Sequence, residues 1–171
     1  ILPEVGFGVW TVATDWWGKI DQSDGIKLLR SALSHGVNFF DTAEMYAVPP
    51  TARTYGSTET ILGNWFAQRG NRDKIILASK ASGPGHPHIR GGSRHTREQL
   101  YQAVNDSLTR LQTDYIDLYQ LHWPERNTNF FGQLGYQHQE SDFTPLEEVL
   151  DALDQEVKAG RIRHVGLSNE T

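Results

Sequence analysis

The sequence predicts an α/β protein whose parallel strands are joined by crossover helices. Two observations carry that prediction. Short apolar runs alternate with amphipathic, well-capped segments along the chain, and strand–helix alternation of this kind builds parallel sheets. Successive strand-like runs lie roughly 30 to 45 residues apart, the spacing of βα units with extended loops. A chain of 171 residues with no linker, charge run or repeat suits one domain with a real core.

Taken in order, Val5-Gly6-Phe7-Gly8-Val9 is the first strand. Its glycines do not make a dinucleotide fingerprint, because position 11 is Thr11 and no helix follows at once. They read as a strand and tight turn passing close to a ligand or another backbone. Asp21 precedes Ile26, Leu28, Leu29, Ala32 and Leu33, a helical spacing that ends at His35-Gly36 with a C-terminal glycine. Val37-Asn38-Phe39-Phe40 is the second strand. Ser57 opens a helix holding Ile61, Leu62, Trp65 and Phe66, and Gly70 closes it. Ile75-Ile76-Leu77-Ala78 is the third strand. Thr96 and Gln99 have capping-box spacing ahead of Leu100, Ala103, Val104, Leu108 and Leu111. The fourth strand is Tyr115 to Leu121. Thr144-Pro145-Leu146-Glu147 combines an N-cap, a proline at the first helical position and a capping-box glutamate. That helix ends at Lys158-Ala159-Gly160, and Arg161 to Leu167 supplies the fifth strand.

Composition excludes several classes. Charged residues make up 22% and hydrophobic ones 37%, with a net charge of −5. An acidic balance argues against nucleic acid as a partner, since phosphate backbones need clustered Lys and Arg. There is no cysteine, hence no disulfide framework, cysteine nucleophile or cysteine-ligated metal. No apolar run approaches a membrane span, so the expected setting is cytoplasmic.

The ionisable residues fall in a pattern. Asp41 ends the second strand, with Tyr46 five residues later; Lys80 ends the third strand and His122 the fourth. Singly, each has a bland reading: a helix cap, a packed aromatic, a solvated stem, a core histidine. Together they stand at consecutive strand ends, and in a parallel barrel such ends converge on one mouth. The long connections Ser82 to His95 and Pro124 to Phe143 also follow strands, at the end where parallel α/β folds place their chemistry.

These residues resemble the aldo-keto reductase family. The matching stretches are Gly36 to Tyr46, Leu77-Ala78-Ser79-Lys80, Leu111 to Pro124 and Gly160 to Glu170. Ala43 to Pro50 and Leu121-His122-Trp123-Pro124-Glu125-Arg126 look most like its bacterial Tas-like branch. The resemblance implies a (β/α)8 TIM barrel that reduces aldehydes or ketones with NADPH. It implies that Tyr46 is the general acid, Lys80 tunes it, Asp41 holds Lys80 and His122 orients the carbonyl. Ser168 and Asn169 match the pair that binds the nicotinamide carboxamide. Trp10 and Thr11 match the loop that touches the cofactor ribose and nicotinamide.

Physical chemistry supports those roles. Hydride arriving at a carbonyl carbon puts negative charge on oxygen, which needs a proton or hydrogen bond. A free tyrosine, with pKa near ~10, releases its proton reluctantly, and an adjacent ammonium favours phenolate. A carboxylate keeps that ammonium charged against desolvation.

Other residues carry less. His86, His88 and His95 lie in a Gly/Pro loop without carboxylate support, so no metal is expected. Arg90, Arg94 and Arg97 read as solvating that loop. Trp16, Trp17, Trp123 and Tyr136 either line a pocket for an aromatic or aliphatic carbonyl compound or pack loops against the barrel mouth. A rival function is a nicotinamide-binding regulatory module without turnover, against which His122 argues. A closed barrel has eight βα units and usually ~250 residues, whereas five strands are legible here. Residues 1–171 are therefore expected to be a single truncated domain, poorly folded, self-associating and inactive alone. The family's cofactor-stacking aromatic and 2′-phosphate segment lie outside them.

Overall fold

The computed structural model describes residues 2–14, 20–129, 131, 134–138 and 140–170. Its strands are β1 (Gly6–Gly8), β2 (Phe39–Asp41), β3 (Ile76–Ala81), β4 (Ile116–Leu121) and β5 (Ile162–Leu167). Its helices are α1 (Gln22–Ser34), α2 (Ser57–Arg69), α3 (Arg97–Leu111) and α4 (Leu146–Lys158). The strands form one sheet in the order β1-β2-β3-β4-β5, every pair parallel. Consecutive helices pack side by side. A doubly wound sheet reverses its strand order and puts helices on both faces. Here there is no reversal, and all crossovers lie on one side, which is the winding of a (β/α)8 barrel.

Local signals explain most boundaries. The Asp21 side chain accepts from the Asp24 N–H at 2.9 Å, as an N-cap should. At the other end of α1, Gly36 adopts φ 85° and the N–H groups of Gly36 and Val37 bond Leu33 O and Ala32 O. This is a Schellman closure, and it draws Val37 out of the strand predicted to begin there. Val9, expected in β1, instead opens a single 3-10 turn, Val9–Thr11.

One predicted capping box forms only by half, and one predicted cap is corrected. Thr96 Oγ1 accepts from the Gln99 N–H, but the Gln99 amide faces the preceding loop, bonding Gly92 O and the Arg94 N–H. Thr144 does not cap α4: Pro145 stands at that boundary without a side-chain cap, and the Thr144 N–H and hydroxyl both go to Glu125. A tertiary carboxylate outcompetes the local box.

Side chains alternate across the sheet. Phe40, Leu77 and Tyr119 face the helices and are fully buried with Leu29, Leu62, Trp65, Leu100 and Leu153. The Phe40 and Trp65 rings meet edge-on with centroids 5.6 Å apart. Phe39, Asp41, Lys80 and Gln120 lie on the opposite face. Helix α2 is buried between its neighbours, and Gly63 lets it close on α3: a Cβ there would sit 2.2 Å from Arg110 O. Gly63→Ala should destabilise the protein by about 1–3 kcal/mol through forced separation of the helices, read as a lower urea midpoint.

Candidate active site

Register brings the ionisable groups together. Asp41 pairs with Ala78, so Lys80 points to the same face one alternation further along. Lys80 pairs with Gln120, and His122 follows on that face. The ladder continues past β2, where the Thr42 N–H bonds Ala78 O and the Glu44 N–H bonds Lys80 O. The turn beyond delivers Tyr46, whose N–H bonds Ala43 O at 3.1 Å.

The four side chains meet at the C-terminal edge of the sheet. Lys80 Nζ is ion-paired with Asp41 Oδ1 and donates to Thr42 O at 2.9 Å. Gln120 donates to the second Asp41 oxygen at 3.2 Å. The Tyr46 hydroxyl lies 3.4 Å from His122 Nε2, the rings edge-on at 5.5 Å, and Lys80 Nζ lies 5.2 Å from the Tyr46 ring centroid. His122 Nδ1 is buried with no partner among the described residues.

Burial dominates the electrostatics. It pushes the Tyr46 phenol up to about 12, with the Asp41 charge adding to the effect. It draws the Lys80 ammonium down, against the opposing pull of Asp41. It also lowers His122 to about 3, helped by the Lys80 charge and by His86. Burial and the Asp41 charge thus set the phenol, in place of the depression expected from Lys80, and Tyr46 is a protonated phenol beside a neutral imidazole.

Ser168 and Asn169 follow β5. The Ser168 N–H bonds Leu121 O, and the Asn169 amide donates to His122 O at 2.8 Å and to Ser168 Oγ at 2.9 Å. Trp10 and Thr11 lie in the 3-10 turn after β1, with the Trp10 indole folded towards Gly8. The two pairs thus flank the central four from the outer strands. Trp123 is buried, 5.0 Å from the His122 ring and 5.5 Å from those of His86 and Phe131. Tyr136 is exposed and bonds His138 within its own loop. Trp16 and Trp17 lie outside the described residues. Among the described residues no group of three or more His, Asp or Glu side chains is placed to hold a metal, and no helix is long and apolar enough to cross a membrane.

Arg90, Arg94 and Arg97 do not merely solvate their loop. They pair with Glu44, Glu125 and Asp151, respectively. Sequence reasoning also missed Gln120, although a polar residue two positions before His122 in an apolar strand signals the same face. Glu44 and Glu125 had no such signal, because their partners lie in distant loops.

The aldo/keto reductase family model matches residues 4–171. The chain belongs to the aldo/keto reductase family. It is 49% identical over 154 residues to Protein tas of Escherichia coli, spanning 88% of this chain and 44% of that protein. It is 34% identical over 166 residues to the aldo-keto reductase YhdN of Bacillus subtilis, spanning 96% and 43%. Among solved structures it superimposes on the aldo-keto reductase AKR11C1 from Bacillus halodurans, holo form, with a TM-score of 0.70 and 30% identity. That match covers 98% of this chain and 46% of the other. An aldo-keto reductase from Klebsiella pneumoniae in complex with NADPH gives 0.69 at 31% identity, covering 98% and 46%. The chain thus spans about half the length of the relatives it matches.

The histidines set a pH dependence. His122 is held near 3 and buried His95 near 4, whereas unfolded imidazoles protonate from about 6.5. The unfolded state then binds more protons below that value, so stability should fall as pH drops from ~6.5 towards ~4. His95→Gln should flatten this slope in melting curves, and an NMR titration should find the His122 ring neutral down to about pH 4.

Proposed function

We propose that the protein reduces aldehydes or ketones to alcohols with NADPH, within a single barrel domain to which residues 1–171 contribute. The observation that carries this reading is the 3.4 Å approach of the Tyr46 hydroxyl to His122 Nε2 beside the half-buried Lys80–Asp41 pair. A carbonyl oxygen bridging the two would take hydrogen bonds from both. The imidazole, neutral at working pH, orients it; the protonated phenol transfers its proton as charge builds on the oxygen. Lys80 then favours the phenolate left behind, and Asp41 with Gln120 keeps Lys80 in place.

The residues at the strand ends fit a nicotinamide. A serine hydroxyl and an asparagine amide match both the carbonyl and the amino group of a carboxamide. Asn169, its nitrogen committed to His122 O, offers its oxygen as the acceptor. Trp10 and Thr11 would contact the ribose side. NADPH, when bound, supplies the hydride that no side chain can, and the NADPH complex of the Klebsiella relative supports that choice. A small carbonyl compound as partner and a cytoplasmic setting belong to the same reading.

Tyr46→Phe in the full-length protein should lower kcat/KM for 4-nitrobenzaldehyde by about 10²–10⁴-fold, followed by stopped-flow NADPH absorbance. NADPH affinity should hold. Unchanged turnover would sink the assignment, and tight cofactor binding with no turnover in the wild type would favour a regulatory module instead. Leu146, Leu150, Val165 and Leu167 are exposed around α4 and β5. The 171 residues in isolation should therefore self-associate on sedimentation and show no turnover.

A further inference from the structure

We propose that Glu44 and Arg90 act as a positioning pair that holds the Tyr46 phenol in register with Lys80 and His122. The proposal rests on the reductase reading above. Glu44 stands two residues before Tyr46 and is 1% exposed. One carboxylate oxygen accepts from the Ser82 N–H at 2.5 Å, two residues past Lys80; the other is ion-paired with Arg90, whose side chain is 3% exposed. The backbone of Glu44 donates to Lys80 O at 3.2 Å and accepts from the Gly56 N–H at 2.6 Å. A single residue therefore ties the turn carrying Tyr46 to the end of β3, to the head of α2 and, through Arg90, to the loop between β3 and α3.

That loop forms another side of the site. His86 lies edge-on to Trp123, the Trp123 indole N–H donates to Pro84 O at 3.0 Å, and Trp123 meets the His122 ring at a tilt of 52°. Gly83 has no room for a side chain, since a Cβ would meet Trp123 Nε1 at 2.4 Å. The general acid, the exit of β3 and the wall behind His122 thus meet at one buried ion pair. Burial pushes the Glu44 carboxyl up, and Arg90 with the Ser82 N–H opposes it. Removing either partner strands a charge in a site with no solvent to take it. The relief available is movement of the turn or the loop, which takes Tyr46 out of line. A displacement of ~1 Å is enough to cost about 100-fold in rate.

The test compares Glu44→Gln, Arg90→Gln and the double variant with wild type and Tyr46→Phe, in the full-length protein with NADPH and 4-nitrobenzaldehyde. Rates are normalised to cofactor sites counted by fluorescence titration, which removes any loss of folded protein. Each single variant should lower kcat by about 10- to 100-fold with KM within about threefold. The neutral double variant should recover part of the loss, because no charge is left alone. Arg90→Lys retains the charge without the planar fork, and guards against a single variant that fails to fold; it should show a smaller fall in kcat at constant KM. Normal kcat per site in every folded variant, with Tyr46→Phe inactive, would overturn the pair's role and leave the reductase reading standing. Full activity in Tyr46→Phe would remove both.

Discussion

A parallel strand must be followed by a crossover, and every crossover described in this chain lands on the same side of the sheet. The rest of the structure depends on that constraint. It places α1 to α4 over one face, where Phe40, Leu77 and Tyr119 are sealed from water. It sends every strand-to-helix connection to one edge. It leaves the opposite face free to carry Asp41, Lys80 and Gln120, which the helical layer has no means of solvating.

Buried charge is the cost of that arrangement, and each case is met by a connector between elements. Glu59, fully buried, accepts from Ser79 on β3 and from Arg110 on α3. Asp117 accepts the Leu77 N–H and pairs with Arg72 and Arg163, joining β3, β4 and β5 at the end of the sheet remote from the site. Glu125 collects Arg94, the His95 N–H and Thr144, closing the neck of the long loop after β4. Such groups are poor sources of net stability, because desolvation offsets most of their attraction. Their directional demands nevertheless select one placement of each loop around the site.

Legibility followed the range of the interactions. The Gly36 closure and the αL glycine after α2 are decided within a few residues, and they read correctly from sequence. Strand starts slipped by a residue or more where a helix closure claimed the first N–H, as at Val37. The cap of α4 failed because Thr144 found a partner 19 residues away in sequence. Arg90, 46 residues from Glu44, looked like any loop cation.

By itself the sequence determined the alternation of elements, the family and the four residues at consecutive strand ends, because local periodicity and contiguous motifs encode all three. The tertiary structure decided what those residues are electrically. Tyr46 has its pKa raised to about 12 and His122 has its lowered to about 3 because packing removes water from both, and desolvation has no counterpart in residue spacing. It also decided that Arg90 is a buried structural tie rather than a solvated loop charge, since only folding brings Glu44 to it.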